Sequence, residues 1–403
     1  MRILGMHNRY QIRGGEEECY EAEVALLRQH GHDVDLYEET NDSIAEVSKL
    51  SLAAQTVWSR DTYKAIHQRL SMHPYDLVHV QNFFPLISPS IFYAAQAVGV
   101  PVVQTLHNYR LVCPNGLFFR QGKVCEDCIG KPVPYPGVVH GCYRENRLAT
   151  AGVAAMLSVH RALSTWDKQI DCYIALTEFA RDKFIEGGLP AHKIVVKPHF
   201  ISPDPGVGSG EGGYALFVGR ISVEKGLDTL LTAWRRVHSR LALKLVGAGP
   251  LADWVKKQTE DIPNVEYLGR RPLDEVYDLM GEATMQIFPS KWYETFGRVA
   301  VEAYAKGTPV MAAKHGAIAE LVTPGETGWH FQPGNAESLI AQINCALDDP
   351  AALRSIRKSA RAEFEAKYTA ARSYQQLMEI YERVANVQSA NASYAAQSYL
   401  LDH

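Results

Sequence analysis

Two glutamates, Glu294 and Glu302, lie eight residues apart in a stretch that mixes acidic, basic, aromatic and glycine residues. Residues 288–307 read FPSKWYETFGRVAVEAYAKG. The apolar run 285–288 is short and is followed by a proline, which predicts a buried strand. A helical pattern begins near Gly297 and continues for about two turns. Glu294 is therefore expected at the mouth of a strand–loop–helix unit.

The start of this predicted helix is suited to binding an anion. Amides of a first helical turn have no partner within the helix and lie at the positive end of its dipole, so phosphate is a natural ligand. We expect these amides to belong to Phe296, Gly297, Arg298 and Val299. Glycine at this position also lets a ligand approach the backbone. With a carboxylate on either side, the pattern suits a sugar nucleotide, although ordinary strand–loop–helix units show the same spacing.

Two cations precede another predicted helix in the second half of the chain. Residues 219–226 read GRISVEKG, so Arg220 and Lys225 lie five residues apart across a turn after a predicted strand. Side chains placed there would face the same pocket as the helix that follows Glu294. Together they could neutralise a pyrophosphate without a metal ion. The alternative is a pair of surface charges that flank a turn.

Two candidates lie in the first half of the chain. Gly14 and Gly15 follow the first predicted strand, where a glycine pair lets the backbone approach a phosphate or a sugar. The spacing is not that of the dinucleotide-binding pattern, and a simple turn is the alternative.

His107 directly follows the predicted strand 101–106 and could donate a hydrogen bond or a proton. A histidine with a purely structural role is the alternative.

Composition narrows the class of protein. The chain has 403 residues, too many for one typical core, and its 46% hydrophobic and 21% charged residues are ordinary for a globular protein. The net charge of −4 gives no reason to expect nucleic acid. No apolar run is long enough for a transmembrane helix, and the first residues do not resemble a signal peptide. Seven cysteines, an odd number, favour a reducing compartment, and we expect the cytoplasm.

Strands and helices alternate through both halves of the chain. This alternation predicts two α/β domains with parallel, doubly wound sheets, in which ligands bind beyond the carboxyl ends of the strands. Two prolines and five glycines among residues 203–213 predict a linker. The expected domains are residues 1–202 with an insertion at about 109–169, the linker 203–213, residues 214–370, and a final helix with a tail at 371–403.

Four cysteines lie in the insertion: Cys113, Cys125, Cys128 and Cys142. The Cys-x2-Cys pair with two flanking cysteines could form a structural zinc site of four thiolates. The alternatives are two disulfides, which a reducing compartment disfavours, and reduced cysteines that pack in the interior.

The insertion is also locally basic, and the helix predicted at about 147–163 has apolar residues on much of its surface. A basic amphipathic segment can contact a membrane surface or an anionic acceptor. The alternative is an ordinary docked helix with a solvated, charged side.

The stretch around Glu294 resembles a known signature. The Glu-x7-Glu spacing, the Phe-Gly after the first glutamate, and the Glu-Ala-x-Ala-x-Gly-x-Pro-Val run of residues 302–310 are similar to the motif of the retaining GT-B glycosyltransferases of family 4. The resemblance implies two Rossmann-like domains that face a central cleft. It also implies that the donor binds the second domain, that the acceptor lies on the first, and that the last helix packs back on the first.

The resemblance also implies roles for individual residues. Glu294 would contact the donor sugar and Glu302 the nucleotide ribose, while Arg220 and Lys225 would bind the donor diphosphate. His107, followed by an asparagine as is common in the family, would lie near the transferred sugar. The Gly14–Gly15 loop would line the cleft near donor and acceptor. Where many members of the family have Pro-Asn-Gly, this chain has Pro-His-Phe at 198–200, so no role of that asparagine is transferred.

These observations predict a metal-independent, retaining transferase that uses a nucleoside diphosphate sugar. The expected acceptor is a lipid-linked or polysaccharide glycan, and the expected location is the cytoplasm, with peripheral contact at the inner face of the membrane. One alternative is a nucleotide-sugar epimerase of the same fold, for which no acid–base groups stand out. Another is a non-catalytic sugar-nucleotide-binding protein, which would be expected to lack one of Arg220, Lys225, Glu294 or Glu302.

Overall fold

The chain forms two compact α/β units, each with its own parallel sheet. The structure is a computed structural model that describes residues 1–401, without the side chains of residues 45, 46, 49 and 387–401. The first unit comprises Met1–Leu117, Glu126–Lys197 and the segment from Ser373 onward. The second unit comprises Phe118–Cys125 and Pro198–Arg372.

The strands are numbered in chain order. They are β1 Arg2–Arg9, β2 Asp33–Thr40, β3 Leu77–Asn82, β4 Val102–Thr105, β5 Phe119–Arg120, β6 Lys123–Val124, β7 Cys172–Ala175, β8 Ile194–Val196, β9 Tyr214–Val218, β10 Ala242–Val246, β11 Val265–Gly269, β12 Met285–Phe288, β13 Val310–Ala313 and β14 Gly328–Phe331.

The α-helices follow the same convention. They are α1 Gly15–Gln29, α2 Lys49–Val57, α3 Arg60–Met72, α4 Ser90–Ala97, α5 Tyr135–His140, α6 Arg147–Ala162, α7 Thr165–Lys168, α8 Glu178–Glu186, α9 Leu227–Val237, α10 Ala252–Glu260, α11 Leu273–Glu282, α12 Arg298–Ala305, α13 Gly316–Leu321, α14 Ala336–Asp348, α15 Pro350–Lys367 and α16 Ala370–Leu401. Short 3₁₀ helices occur at Asn41–Glu46, Tyr109–Leu111, Ala191–Lys193 and Val223–Lys225.

Both large sheets have six parallel strands and are doubly wound, with different strand orders. The order is β2-β1-β3-β4-β7-β8 in the first unit and β11-β10-β9-β12-β13-β14 in the second. In each sheet the first strand in sequence lies inside the sheet. The next one or two strands extend the sheet to one edge, and the later strands extend it on the other side of the first strand. The winding therefore reverses between β1 and β3 and between β9 and β12, where doubly wound sheets bind ligands. The prediction of two doubly wound parallel sheets is confirmed.

The central strands are buried because helices cover both faces of each sheet. All six residues of β3 and all four of β12 are buried, as expected for parallel strands between helical layers. In the second unit, Trp234 of α9 lies at the centre of the core, and its Nε1 donates a hydrogen bond to the carbonyl oxygen of Leu241 at 3.0 Å.

The long final helix α16 belongs to the core of the first unit. Leu377, Ile380, Tyr381 and Val384 pack with Ile3 and other residues of the sheet and of α1. Sequence analysis predicted a final helix and a tail within 371–403. The helix continues to Leu401, and the last two residues of the predicted tail lie outside the described part of the chain.

Three local features go beyond the sequence patterns. The helical residues between 49 and 72 form two helices, α2 and α3, because Ser59 interrupts the run and caps α3 by accepting a hydrogen bond from the amide of Thr62. The short helix α13 was not predicted. The glycine-rich segment 203–213 is docked, since Gly210 and Gly212 donate backbone hydrogen bonds to residues 281 and 282.

Candidate functional site

Two loops meet at the point where the winding of the second sheet reverses. One loop follows β9 and carries Lys225, and the other follows β12 and carries Glu294. Gly226, with a φ of +71°, makes this approach feasible, because a Cβ atom there would lie 2.0 Å from the carbonyl oxygen of Pro289. Neighbouring strands thus bring together two residues that are 69 positions apart in sequence.

Glu294 is fixed by three donors. Its Oε1 accepts hydrogen bonds from Lys225 Nζ at 2.6 Å, from Ser290 Oγ at 2.9 Å and from Trp292 Nε1 at 2.9 Å. Lys225 contributes a charge-assisted hydrogen bond, and the serine hydroxyl and the indole N–H add two neutral ones. The Lys225 ammonium also lies 5.4 Å from the centre of the Trp292 ring. The carboxylate is therefore held in one orientation at the carboxyl end of β12.

The helix that follows Glu294 begins one residue later than expected. Gly297 caps α12 and Arg298 is its first residue, so the backbone of Phe296 precedes the first turn. The Phe296 ring is buried, 5.3 Å from the ring of His199. A Cβ atom on Gly297 would lie 2.9 Å from Leu321 Cδ1, so α13 packs closely against the backbone here. Arg298 and Val299 remain in the predicted first turn.

The second glutamate of the motif is paired within its own helix. Arg298 Nε donates a hydrogen bond to Glu302 Oε1 at 2.8 Å, one turn along α12. Glu302 is buried, so this ion pair offsets the cost of removing its charge from water. The contact also fixes the direction of the carboxylate, which sequence analysis did not foresee.

Arg220 differs from Lys225 in its surroundings. Its side chain is exposed and forms no ion pair with any residue that the structure describes. It lies just after β9, at the same end of the sheet as Lys225. An exposed guanidinium at the carboxyl end of a central strand can bind an anion without first breaking an internal ion pair.

His315 is a site residue that sequence analysis missed. Its Nε2 donates a hydrogen bond to the carbonyl oxygen of Ser290 at 2.6 Å, and its ring lies 5.9 Å from that of Tyr293. Burial lowers the pKa of His315, so the ring is neutral at pH 7. It therefore braces the loop that carries Glu294. A histidine just after a strand was the only sequence signal that could have found it.

In the first unit, the Gly14–Gly15 turn is held by a glutamate of the helix that it starts. Glu17 accepts hydrogen bonds from the amide of Gly14 at 2.9 Å and from the amide of Tyr10 at 2.9 Å. Glu18, in the same first turn, is a second carboxylate there. The positive end of this helix is thus already compensated by carboxylates, which disfavours a second anion.

Glu16 lies beside the predicted glycine turn. Its Oε2 accepts a hydrogen bond from the Tyr10 hydroxyl at 3.2 Å, and Asn108 Nδ2 donates to that hydroxyl at 3.3 Å. The other oxygen, Oε1, is buried and has no hydrogen-bond partner among the described residues. Burial, together with the charge of Glu17, raises the pKa of Glu16 to about 8. Glu16 is therefore mostly protonated at neutral pH.

His107 lies just beyond β4, and a side chain of the neighbouring strand β3 holds its ring. Its Nε2 donates a hydrogen bond to Gln81 Oε1 at 2.6 Å. Burial lowers the pKa of His107 well below its ordinary value, and nearby His7, His79 and Lys197 act in the same direction. The ring is accordingly neutral across the physiological range.

The zinc site expected from the four insertion cysteines is not formed. No group of three or more His, Cys, Asp or Glu side chains is placed to hold a metal ion in the described residues. The Cys113 thiol donates to Asn115 Oδ1 at 3.0 Å, and the Cys128 thiol donates to the carbonyl oxygen of Pro134 at 3.8 Å. Protein acceptors thus hold two of the thiols as neutral donors, while Cys125 and Cys142 are partly exposed and unbridged.

No helix in the part of the chain that the structure describes combines the length and the apolar content needed to cross a membrane.

Comparison with known families accounts for most of the sequence. Residues 13–205 match the family described as Glycosyltransferase Family 4, and residues 207–363 match the family described as Glycosyl transferases group 1. The two matches meet close to the boundary between the two sheets. The chain belongs to the family 4 glycosyltransferases.

Two curated relatives match part of the chain. Glycogen synthase of Mycobacterium tuberculosis is 28% identical over 249 residues, which are 57% of this chain and 58% of that protein. Lipopolysaccharide 1,2-N-acetylglucosaminetransferase of Salmonella typhimurium is 29% identical over 233 residues, which are 51% of this chain and 61% of that protein. The chain thus spans about three fifths of the length of these relatives.

Solved structures match nearly the whole chain. HepE of Anabaena, in complex with UDP and glucose, has a TM-score of 0.67 and 22% identity, with 95% of this chain and 100% of that chain covered. Sucrose-phosphate synthase of Thermosynechococcus elongatus has a TM-score of 0.71 and 17% identity, with 96% and 99% covered. At this level of identity the likeness establishes the fold, which is GT-B as predicted.

Proposed function

We propose that this protein is a retaining glycosyltransferase that moves a sugar from a nucleoside diphosphate sugar to a glycan or lipid-linked acceptor. The observation that carries the proposal is the contact between Lys225 and Glu294 at the reversal point of the second sheet. Both residues match the family signature, and they lie where a doubly wound sheet binds ligands. Membership of the family supports retention of the anomeric configuration.

The second unit supplies the groups that would bind the donor. Arg220 and Lys225 offer two cations to the diphosphate, and the amides of Arg298 and Val299 add the positive end of α12. Charge accumulates on the departing diphosphate as the glycosidic bond breaks. Fixed cations and amides stabilise that charge without reorganising, which is the main source of catalysis in this scheme.

The two glutamates would orient the rest of the donor. Glu294 is proposed to accept hydrogen bonds from hydroxyls of the transferred sugar, and Glu302 to accept them from the ribose. The front-side mechanism implied by the family lets the departing phosphate take the proton of the acceptor hydroxyl. No side chain is then needed as a base, and the protein positions and stabilises.

The first unit is proposed to hold the acceptor and the transferred sugar. His107 and the Gly14–Gly15 turn lie at the carboxyl ends of their strands. Because carboxylates already compensate the start of α1, this turn suits a neutral hydroxyl better than the donor phosphate. Glu16 in its protonated form would donate a hydrogen bond there. The similarity to a glycogen synthase and to a lipopolysaccharide N-acetylglucosaminetransferase supports an acceptor that is a glycan or a lipid-linked glycan.

Contact with a membrane surface is also part of the proposal. Helices α2 and α6 run side by side in the same direction, since Ala53 faces Gly152 and Val57 accepts a hydrogen bond from His160 Nε2 at 2.8 Å. Their neighbouring N-terminal ends carry Leu50 and Leu148, which are 86% and 82% exposed. Exposed arginines at positions 144 and 147 lie beside this apolar pair. Apolar and basic groups together suit an anionic lipid surface.

A thermal-shift panel tests the proposed function first. A ligand that binds only the folded state raises the melting temperature, so nucleoside diphosphates and their sugars are compared without added metal and again with a chelator. UDP and UDP-glucose come first, because the solved structures of HepE contain them. Stabilisation by one class of donor, unchanged by the chelator, is expected. Isomerised sugar in the absence of an acceptor would favour the epimerase, and no response to any donor would contradict the proposal.

A further inference from the structure

A network of buried polar side chains lies next to His107 in the first unit. It consists of Glu23 on α1, His79 and Gln81 on β3, and Lys197 just after β8, and each of these side chains is buried. Lys197 Nζ lies 3.3 Å from Glu23 Oε2. The charges of this pair offset each other, which lowers the cost of placing both in the interior. Sequence analysis singled out none of the four.

The network fixes which way the Gln81 amide points. Its Nε2 donates a hydrogen bond to Glu23 Oε1 at 2.7 Å. A flipped amide would place two oxygen atoms at that distance, and neither could donate. In its ion pair with Lys197, the Glu23 carboxylate offers this amide only acceptor oxygens. Gln81 therefore turns its oxygen, Oε1, toward His107.

The orientation of that amide decides where the His107 ring carries its hydrogen. An amide oxygen only accepts, so His107 Nε2, at 2.6 Å, must be the donor. Burial and the neighbouring His7, His79 and Lys197 lower the pKa of His107, so the ring carries one hydrogen rather than two. Since that hydrogen is on Nε2, the other nitrogen, Nδ1, accepts hydrogen bonds and does not donate them.

We infer that Glu23 and Gln81 are positioning residues that hold His107 as the Nε2–H tautomer, so that its Nδ1 receives a hydrogen bond from a substrate hydroxyl. The tautomer follows from the geometry of the network alone. The hydroxyl partner rests on the proposed function, in which His107 meets the transferred sugar or the acceptor. A lone pair at this position repels a carboxylate or a phosphate, so the inference restricts the adjoining substrate group to a neutral donor.

Nitrogen-15 NMR of the protein labelled at histidine tests the tautomer directly. The ring signals of His107 are assigned by their loss in His107→Gln. The wild-type spectrum is expected to show a neutral ring protonated at Nε2 between about pH 6 and pH 8. A ring protonated at Nδ1, or at both nitrogens, would overturn the inference whatever the protein catalyses.

Substitution of Gln81 tests what holds the tautomer. Gln81→Met removes the amide at similar size, and we expect both tautomers of His107 to become populated. Gln81→Asn, whose amide is too short to span the two contacts, is a second variant in case the first does not fold. Gln104→Met is the matched control, because Gln104 is a buried glutamine on β4 and makes no hydrogen bond to His107 in the described residues. An unchanged tautomer in both Gln81 variants would overturn the inference.

Kinetics separates positioning from a purely structural role. Gln81→Met is expected to lower kcat about tenfold or more, as for other residues that orient a functional histidine, and to leave the affinity for the nucleoside diphosphate unchanged. Equal loss in Gln104→Met would overturn the positioning role. Wild-type protein with the expected tautomer but no transfer from any donor would overturn the proposed function and leave the tautomer assignment intact.

Discussion

At the scale of single residues, the candidate donor site depends on how each charge is compensated. Lys225 is held by Glu294, whereas Arg220 is exposed, so the two cations would approach a diphosphate from different starting states. Glu294 keeps two neutral donors, Ser290 and Trp292, when Lys225 is engaged elsewhere. A diphosphate could therefore bind the Lys225 ammonium while the Glu294 carboxylate keeps two hydrogen-bond donors.

Replacement of Lys225 tests its role at the donor. Lys225→Ala removes a cation from the developing charge of the diphosphate, and transfer is expected to fall by about 10²–10³-fold, as for other fixed charge-stabilising groups. The melting temperature should change little, because Lys225 is partly exposed. Lys244→Ala is the control, since Lys244 lies over the Tyr214 ring of the same unit, 4.0 Å from its centre. Normal rates in Lys225→Ala would contradict the assignment.

The raised pKa of Glu16 predicts a pH dependence of stability. The folded state keeps the proton of Glu16 up to about pH 8, whereas an unfolded glutamic acid releases it near its ordinary pKa of 4.5. The stability that the protonated form contributes is therefore lost as the pH rises from about 4.5 through 8. Glu16→Gln imitates the neutral acid, so it should raise the melting temperature at pH 8.5 and have little effect at pH 5.

Glu18→Gln provides the comparison for this measurement. Glu18 is in the same helical turn, but it is exposed and its Oε1 accepts a hydrogen bond from Arg13 Nε at 2.6 Å. No gain in melting temperature at high pH is expected from this variant. Parallel pH profiles of wild type and Glu16→Gln would contradict the protonated state of Glu16.

At the scale of elements, most of the candidate donor-site residues lie in loops that follow strands or in the first turn of α12. The reversal between β9 and β12 brings the loops of Lys225 and Glu294 together, and α13 packs closely against Gly297. The long helix α16 has a structural role, since it covers one face of the first sheet.

The role of α16 can be measured by stability. Leu377 is fully buried in the core of the first unit, so Leu377→Ala should lower the free energy of unfolding by about 2–5 kcal/mol, through lost burial and the cavity left behind. Leu163→Ala removes a leucine of the same unit that is 54% exposed, and its effect should be small. Denaturant titration of both variants decides the question, and equal stabilities would show that α16 is not part of this core.

At the scale of the whole molecule, the surface of the first unit carries the proposed membrane contact. Replacing both Leu50 and Leu148 by serine should weaken binding to vesicles that contain anionic lipid, because each buried CH₂ group contributes about 0.8 kcal/mol. Leu163→Ser, at the opposite end of α6, is the control. Co-sedimentation of wild type and variants with vesicles measures the effect, and equal binding of all three would exclude this surface.

The oxidation state and metal binding of the seven cysteines can be tested chemically on the whole protein. None of the seven is in a disulfide, and no metal group is formed in the described residues. Denatured protein should thus release seven reactive thiols without a reductant, and elemental analysis should find far less than one zinc per chain. Stoichiometric zinc with four protected thiols would restore the site that sequence analysis predicted from Cys113, Cys125, Cys128 and Cys142.

The sequence by itself determined the alternation of strands and helices, the two parallel sheets, and the motif around Glu294 and Glu302. These are local properties, because periodicity, turn residues and motif spacing are read within short windows of the chain. It also marked the strand end at His107. What it implied for Arg220, Lys225 and the glycine turn came through resemblance to a family, and the roles of these residues stay predictions.

Only the tertiary structure decided which groups act on one another. The contact of Glu294 with Lys225, the bracing of its loop by His315, and the contacts of Gln81 with Glu23 and His107 join residues far apart in sequence. The cysteines show the same limit of local patterns, because their favourable spacing in sequence did not produce a metal site. Burial and hydrogen bonding set protonation and orientation, and both depend on what the other strands and helices bring close, which no local pattern records.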